Sequence, residues 1–273
     1  MPLFCDIALA ERIERAEARL MAESSEAAHR RRGDGRGFVL PIAGGVASFA
    51  EPDSPFNKVA GLGFGGLTSA TLLDEVEAAF AEHKSPVQVE LSQLADPAIG
   101  ELLTRRGYRL VSFENVLGLA LGAPRERITP PGVEVRRTDE VDPWLRVVGD
   151  SFAAADVEGV ASHEEFPRET VENAMRDFAA VGVLRYLALR EGEVAGGASF
   201  RVTDGIAQLT GAATLPAHRR NGVQTALLSA RLADASGCDL AIVTTQPGSK
   251  SQQNVQRQGF DLLYTRAILV KGD

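Results

Sequence analysis

The chain has 273 residues, 29 of them basic and 37 acidic, for a formal net charge of −8. Hydrophobic content of 44% and charged content of 24% are ordinary globular values and exclude wholesale disorder. The acidic balance argues against a nucleic-acid coat, no apolar run is long enough for a membrane-spanning helix, and two cysteines, Cys5 and Cys238, are too few for a disulfide framework. A cytoplasmic protein with neither nucleic acid nor membrane as partner is the expectation.

Ile7, Ala10, Ile13, Ala16 and Leu20 recur at spacings of three and four behind Asp6. This predicts a capped amphipathic helix; Asp6, Glu11 and Glu14 interrupt the apolar block that a targeting signal would need. Arg30 to Arg32 before Gly33-Asp34-Gly35 read as a solvated helix end and turn. Gly61-Leu62-Gly63-Phe64-Gly65-Gly66 spells out the dinucleotide glycine fingerprint, followed by a helix-like segment and a strand at 87–91. Glu90 would then be the ribose-binding acid, and a nicotinamide- or flavin-dependent enzyme is one reading of this half. Against it, only Lys58 to Ala60 can serve as the preceding strand, and no second strand–helix–strand repeat follows.

The stretch from Gly122 to Gly132 holds three prolines and several charges between two strand-like runs, which marks a linker. The expected division is a first domain at 1–124, a linker at 125–132 and a second domain at 133–273. A shift of 152 residues lays Arg105-Arg106-Gly107-Tyr108 on Arg257-Gln258-Gly259-Phe260. It also superposes strand-like Val87–Leu91 on Asp239–Val243 and helix-like Leu72–His83 on Gln224–Ala235. Identities are few, so chance similarity stays open; shared order and spacing favour duplication.

In the second half, strands are expected at 133–136, 184–190, 194–202, 207–214, 239–244 and 262–271, with helices near 143–152, up to 177, 221–235 and 249–257. Hairpin turns at Glu191-Gly192-Glu193 and Thr203-Asp204-Gly205 sit beside a strand–helix–strand crossover, which implies a mixed sheet. The informative segment runs from Gly211 to Leu228. A strand stops at Pro216, a basic turn with Arg219, Arg220 and Gly222 follows, and a helix opens at Val223. Free amides and the helix dipole there suit a diphosphate, although an ordinary strand-to-helix loop with surface arginines would look alike.

Pro216-Ala217-His218-Arg219-Arg220-Asn221-Gly222-Val223-Gln224 resembles the Pro-x-x-Arg-x-x-Gly-x-Gly/Ala signature of the GCN5-related N-acetyltransferase (GNAT) superfamily, departing at Gln224. Asn254 and Gly259-Phe260 before the last strand also fit, and the resemblance spans 133–271. It implies an α/β fold of the α+β type, with two GNAT-like domains, each a mixed, mostly antiparallel sheet flanked by helices. It further implies acetyl-CoA as co-substrate, no metal, and a small-molecule or peptide amine as acceptor, with a homodimer left open. By the family pattern Asn221, Gly222, Val223, Gln224 and Thr225 would hold the pyrophosphate with Arg219 and Arg220, while Thr214 and Leu215 meet the pantetheine arm and Asn254 borders the site. Leu67, Thr68 and Ala70 stand where Arg219, Arg220 and Gly222 would fall, so the first half reads as a copy without the phosphate loop.

The tyrosine that many members use to protonate the thiolate is replaced by Val255. Tyr264, Tyr186 or water could supply that proton. No carboxylate lies in the strand 206–214, where family members often place a Glu nearby, which leaves the base unassigned. Glu164 and Glu165, beside His163, are candidates in the loop that usually shapes the acceptor pocket, but behind Ser162 they read first as solvated residues of a capped helix start. His218 reads as local charge and Cys238 as a small core residue. A non-catalytic acyl-CoA sensor is the alternative to an enzyme.

Overall fold

The computed structural model describes residues 2–66, 68–152 and 165–272. Glu164, His163 and Ser162 lie outside them.

Helix α1 (Ile7–Arg32) starts where the spacing places it: the Asp6 side chain accepts from the Leu9 amide, and Gly33 ends it in the left-handed region. The basic end is not simply solvated. Arg31 Nε meets Asp177 Oδ1 at 2.9 Å, and Arg32 NH1 donates to Ala50 O at 2.7 Å. Then come β1 (Phe38–Ile42), β2 (Gly45–Phe49), β3 (Lys58–Ala60), α2 (Ala70–Glu82), β4 (Val87–Ser92), α3 (Pro97–Arg105) and β5 (Arg109–Ala120).

The second half contributes β6 (Val133–Thr138), α4 (Val141–Phe152), α5 (Arg168–Ala180), β7 (Leu184–Arg190), β8 (Glu193–Thr203) and β9 (Ile206–Thr214). It ends with α6 (Val223–Asp234), β10 (Leu240–Thr245), α7 (Lys250–Arg257) and β11 (Asp261–Lys271).

Among the described residues eleven strands form one sheet, in the order β1-β2-β3-β4-β11-β5-β10-β9-β8-β7-β6. Most neighbours are antiparallel; β3–β4 and β9–β10 are parallel, as their crossovers through α2 and α6 require. The terminal strands of the halves are exchanged. β11 lies between β4 and β5 of the first half, and β5 pairs with β10 of the second.

The 152-residue repeat is visible in hydrogen bonding. Arg106, Gly107 and Tyr108 amides donate to Leu103, Thr104 and Leu103 carbonyls. Gln258, Gly259 and Phe260 amides donate to Val255, Gln256 and Val255. Gly107 (φ 87°) and Gly259 (φ 91°) turn left-handed at the same point, and both aromatics are buried behind them.

The glycine fingerprint forms a packed turn rather than a ligand cradle. Gly65 N–H donates to Ala43 O at 3.0 Å, and a Cβ on Gly65 would stand 2.5 Å from Gly44 N. The start of α2 is capped by Ser69, which accepts from Leu72 N.

Candidate functional site

The site begins where β9 and β10 part. They pair only at Leu240↔Ile206, Ala241↔Ala207 and Ile242↔Gln208, and then diverge. On the other edge of β9 the register with β8 skips between Gly197↔Ala213 and Ser199↔Thr210, so Gly211 and Ala212 fall outside the ladder in a bulge. Gly211 takes φ 54°, which a side chain would resist. Arg231 of α6 is 2% exposed and braces this bulge: NH1 donates to Ser199 O at 3.1 Å and to Thr210 O at 3.4 Å. Its burial without a carboxylate pulls its pKa down to about 10.

Beyond β9 the chain makes a 3-10 turn at Pro216–His218, passes Arg219, and turns left-handed at Arg220 (φ 63°) and Gly222 (φ 79°). α6 then opens without a side-chain cap and without an acidic residue in its first turn. The first amide to close on the helix is Ala226, donating to Gly222 O at 2.9 Å. The amides of Val223, Gln224 and Thr225 precede that bond, at the positive end of the helix. Arg219 folds over this turn, its Nε 3.4 Å from Thr214 O. Arg220 and Asn221 are exposed, and Leu215 is half-buried. Thr214 Oγ1 and His218 Nδ1 are buried without a partner, so polar donors and acceptors remain to be satisfied beside the loop. These residues fit a diphosphate-bearing arm entering between the strands.

A cavity of about 400 Å³ follows the split between β9 and β10. One side is formed by Gln224 and Leu228 of α6, Ser251 and Val255 of α7, and the strand segments 210–212 and 243–244. Val255 thus borders the cleft at the place where the family pattern has tyrosine. Asn254 is half-buried on α7 next to it.

The expected acid–base residues that are described, Tyr264, Tyr186 and Glu165, are not brought to this cleft. Tyr264 is 1% exposed on β11, two strands from β10, and its hydroxyl donates to Glu14 Oε1 at 2.6 Å. The exchange of the last strand into the first half's sheet carries it there. Tyr186 is likewise occupied, donating to Asp234 Oδ2 at 2.7 Å. Glu165 is exposed and borders a different hollow, with His83 and Lys84 of the first half. Cys238 is buried, as a core residue would be.

The inner end of the cleft is lined by residues that the sequence reading did not single out: Glu17 of α1, Glu114 of β5 and Gln208 of β9. Glu114 Oε2 accepts from Arg266 NH1 at 3.0 Å. Burial and the neighbouring Glu90 nevertheless push its carboxyl up to about 7. Burial also raises Glu17. Among the described residues no group of three or more His, Cys, Asp or Glu side chains could hold a metal. No helix among them is long and apolar enough to cross a membrane.

Residues 151–260 match the sequence model of the acetyltransferase (GNAT) family. No curated protein matches the chain. Among solved structures, a GCN5-related N-acetyltransferase from Kribbella flavida is similar at 18% identity and a TM-score of 0.66, with 94% of this chain and 95% of that one covered. One from Sphaerobacter thermophilus gives 16% identity and 0.56, over 94% and 91%. A tandem GNAT protein from the clavulanic acid biosynthesis pathway gives 14% and 0.60, over 93% of each chain. At these identities the likeness is one of fold, and it extends across both halves. The split strands, the bulge and the uncapped helix start all lie within the segment that matches the acetyltransferase (GNAT) family model, and the fold as a whole is similar to that of a tandem GNAT protein.

Proposed function

We propose that the protein is an acetyl-CoA-dependent N-acetyltransferase that transfers the acetyl group to an amine by direct attack on the thioester. The observation that carries this reading is the divergence of β9 and β10 beside the uncapped start of α6. The first-turn amides of α6, with Arg219, would hold the pyrophosphate. Thr214 and Leu215 would flank the pantetheine arm. At the bulge, Gly211 and Ala212 lie outside the register with β8, so a backbone N–H there is available to polarise the acetyl carbonyl.

The amine nitrogen attacks the carbonyl carbon, the C–S bond breaks, and the sulfur leaves with the electron pair. No tyrosine borders the cleft, since Val255 takes that place and Tyr264 is bound to Glu14. A thiol of pKa near 8.5 leaves tolerably at neutral pH, with water as its proton source. The first half has a packed glycine turn and a Ser69-capped helix at the corresponding place, which supports reading it as a copy that does not bind CoA.

Calorimetry with acetyl-CoA should give one site per chain. Arg219→Ala should weaken it by about 1.5–3 kcal/mol, while leaving a bare pantetheine thioester unaffected. A thiol-release assay over an amine panel then separates enzyme from sensor. Two sites per chain, or equal loss for both ligands, would refute the assignment; binding without turnover of any amine would favour the sensor.

A further inference from the structure

The cleft is walled at its inner end by the first half of the chain. Glu14 and Glu17 of α1, Glu90 of β4 and Glu114 of β5 gather around two cations, Arg266 of β11 and Lys58 of β3. Arg266 Nε meets Glu14 Oε1 at 2.8 Å, and its NH1 lies 3.0 Å from Glu114 and 3.6 Å from Glu90. Lys58 Nζ meets Glu90 Oε1 at 2.5 Å. Glu17 forms an ion pair with neither cation and feels both only through longer-range attraction. Four carboxyl groups share these two cations, and the two that line the cavity are Glu17 and Glu114.

A second observation is independent of this charge. Gln208, at the last position where β9 pairs with β10, is 2% exposed and lines the same cavity. Its Oε1 accepts from Thr203 at 3.0 Å, yet its Nε2 has no partner. A buried amide donor without an acceptor is costly unless a ligand supplies one.

We propose that Glu17 and Glu114 form the acceptor subsite, taking the ammonium of a small cationic amine that carries a hydroxyl, ether or carbonyl oxygen for Gln208, with Glu114 accepting the ammonium proton. This rests on the acetyl-transfer reading above. The protonated amine gives one proton to the Glu114 carboxylate and gains the lone pair that attacks the thioester carbon. On collapse the C–S bond breaks, the nitrogen loses its second proton, and the thiolate takes one up. Glu114 returns its own proton to water. The N-terminal half thereby contributes the acceptor chemistry, and the C-terminal half the CoA arm.

The test uses the full chain, acetyl-CoA, and the acceptors ethanolamine, glucosamine and glycinamide beside glycine and glutamate. The three acceptors without a carboxylate should be acetylated at least about tenfold faster, in kcat/KM at pH 7, than the two that carry one. The wild-type rate should rise through pH 7 as Glu114 ionises. In Glu114→Gln, kcat/KM should fall by about 10²-fold or more, with its acid limb displaced towards the amine's own ionisation. Glu114→Asp should restore part of the limb near neutrality. Glu17→Gln, which breaks no ion pair, should raise the acceptor KM about tenfold with kcat little changed. Acetyl-CoA affinity should stay within about twofold in all three variants.

Unchanged rate and pH profile in Glu114→Gln with normal acetyl-CoA binding would overturn this inference alone, as would a preference for the carboxylate-bearing acceptors. Absence of acetyl-CoA binding by the wild type would overturn the acetyl-transfer reading and this one with it.

Discussion

Glu17 and Glu114 are ionisable groups held where ionisation is disfavoured, and folding must therefore couple to pH through them. Burial raises both, and Glu114 reaches about 7 in the folded chain against about 4.3 for a free glutamate. The folded state binds more protons than the unfolded state between those values. The contribution is favourable below about pH 4 and is lost as pH rises through 7. Replacing Glu17 by Gln removes one such carboxyl without breaking an ion pair. The variant should melt higher than the wild type at pH 8, and the gap should narrow or vanish at pH 5. Calorimetric melting at both values checks this, and a gap that widens on acidification would contradict it. These residues were hidden in the sequence because each belongs to a half other than the one with the phosphate turn. The signal was nonetheless there. Glu14 and Glu17 fall four residues after Ala10 and Ile13, on the apolar stripe of α1, where a charge must find a partner or a ligand.

At the scale of elements, the turn from β9 into α6 depends on backbone shape more than on side chains. Gly222 sits at φ 79° as the residue before the helix, and a Cβ there would stand 2.7 Å from Pro130 Cβ of the linker. Gly222→Ala therefore meets both a left-handed penalty of about 1–3 kcal/mol and a clash that pushes the linker away. The linker cannot move freely, because Ile128 N–H donates to Ser229 Oγ at 2.6 Å and Arg127 pairs with Asp234 at the same distance. The variant should bind acetyl-CoA at least about tenfold more weakly while retaining its far-ultraviolet circular dichroism. Undiminished affinity would mean that the amides of this turn are not the anion site. Elements of this kind were legible because proline, glycine and capping residues mark their ends chemically. The start of β5 was not legible, because its first residues, from Arg109 to Phe113, are largely exposed and carry no alternation towards a core. The glycine fingerprint misled for the converse reason: glycines that allow close approach to a pyrophosphate equally allow close approach to another backbone, here Gly44.

The whole molecule shows what periodicity leaves out. Alternation along a strand gives its faces but not its neighbours, and so the sequence divides at 125–132 while the sheet does not. β11 finds both of its partner strands, β4 and β5, in the first half, and β5 in turn covers β10. A fragment of 133–273 would hold β11 with no strand to pair with and β10 with an open edge. A fragment of 1–124 would lack the strand that joins β4 to β5. Each would expose unpaired backbone groups and apolar faces, which favours aggregation. The buried Glu14–Arg266 pair, 2.8 Å apart and 1% exposed on each side, also spans the division; splitting the chain there takes Arg266 from Glu14, Glu90 and Glu114 together, and breaking such a buried pair costs about 3–5 kcal/mol. Expressed separately, the two fragments should be insoluble or self-associated. Co-expressed, they should assemble one to one, melt in a single transition and bind one acetyl-CoA per complex. A soluble, monomeric 133–273 fragment with the acetyl-CoA affinity of the full chain would show that the exchanged strands are dispensable, and that the second half is a domain in its own right.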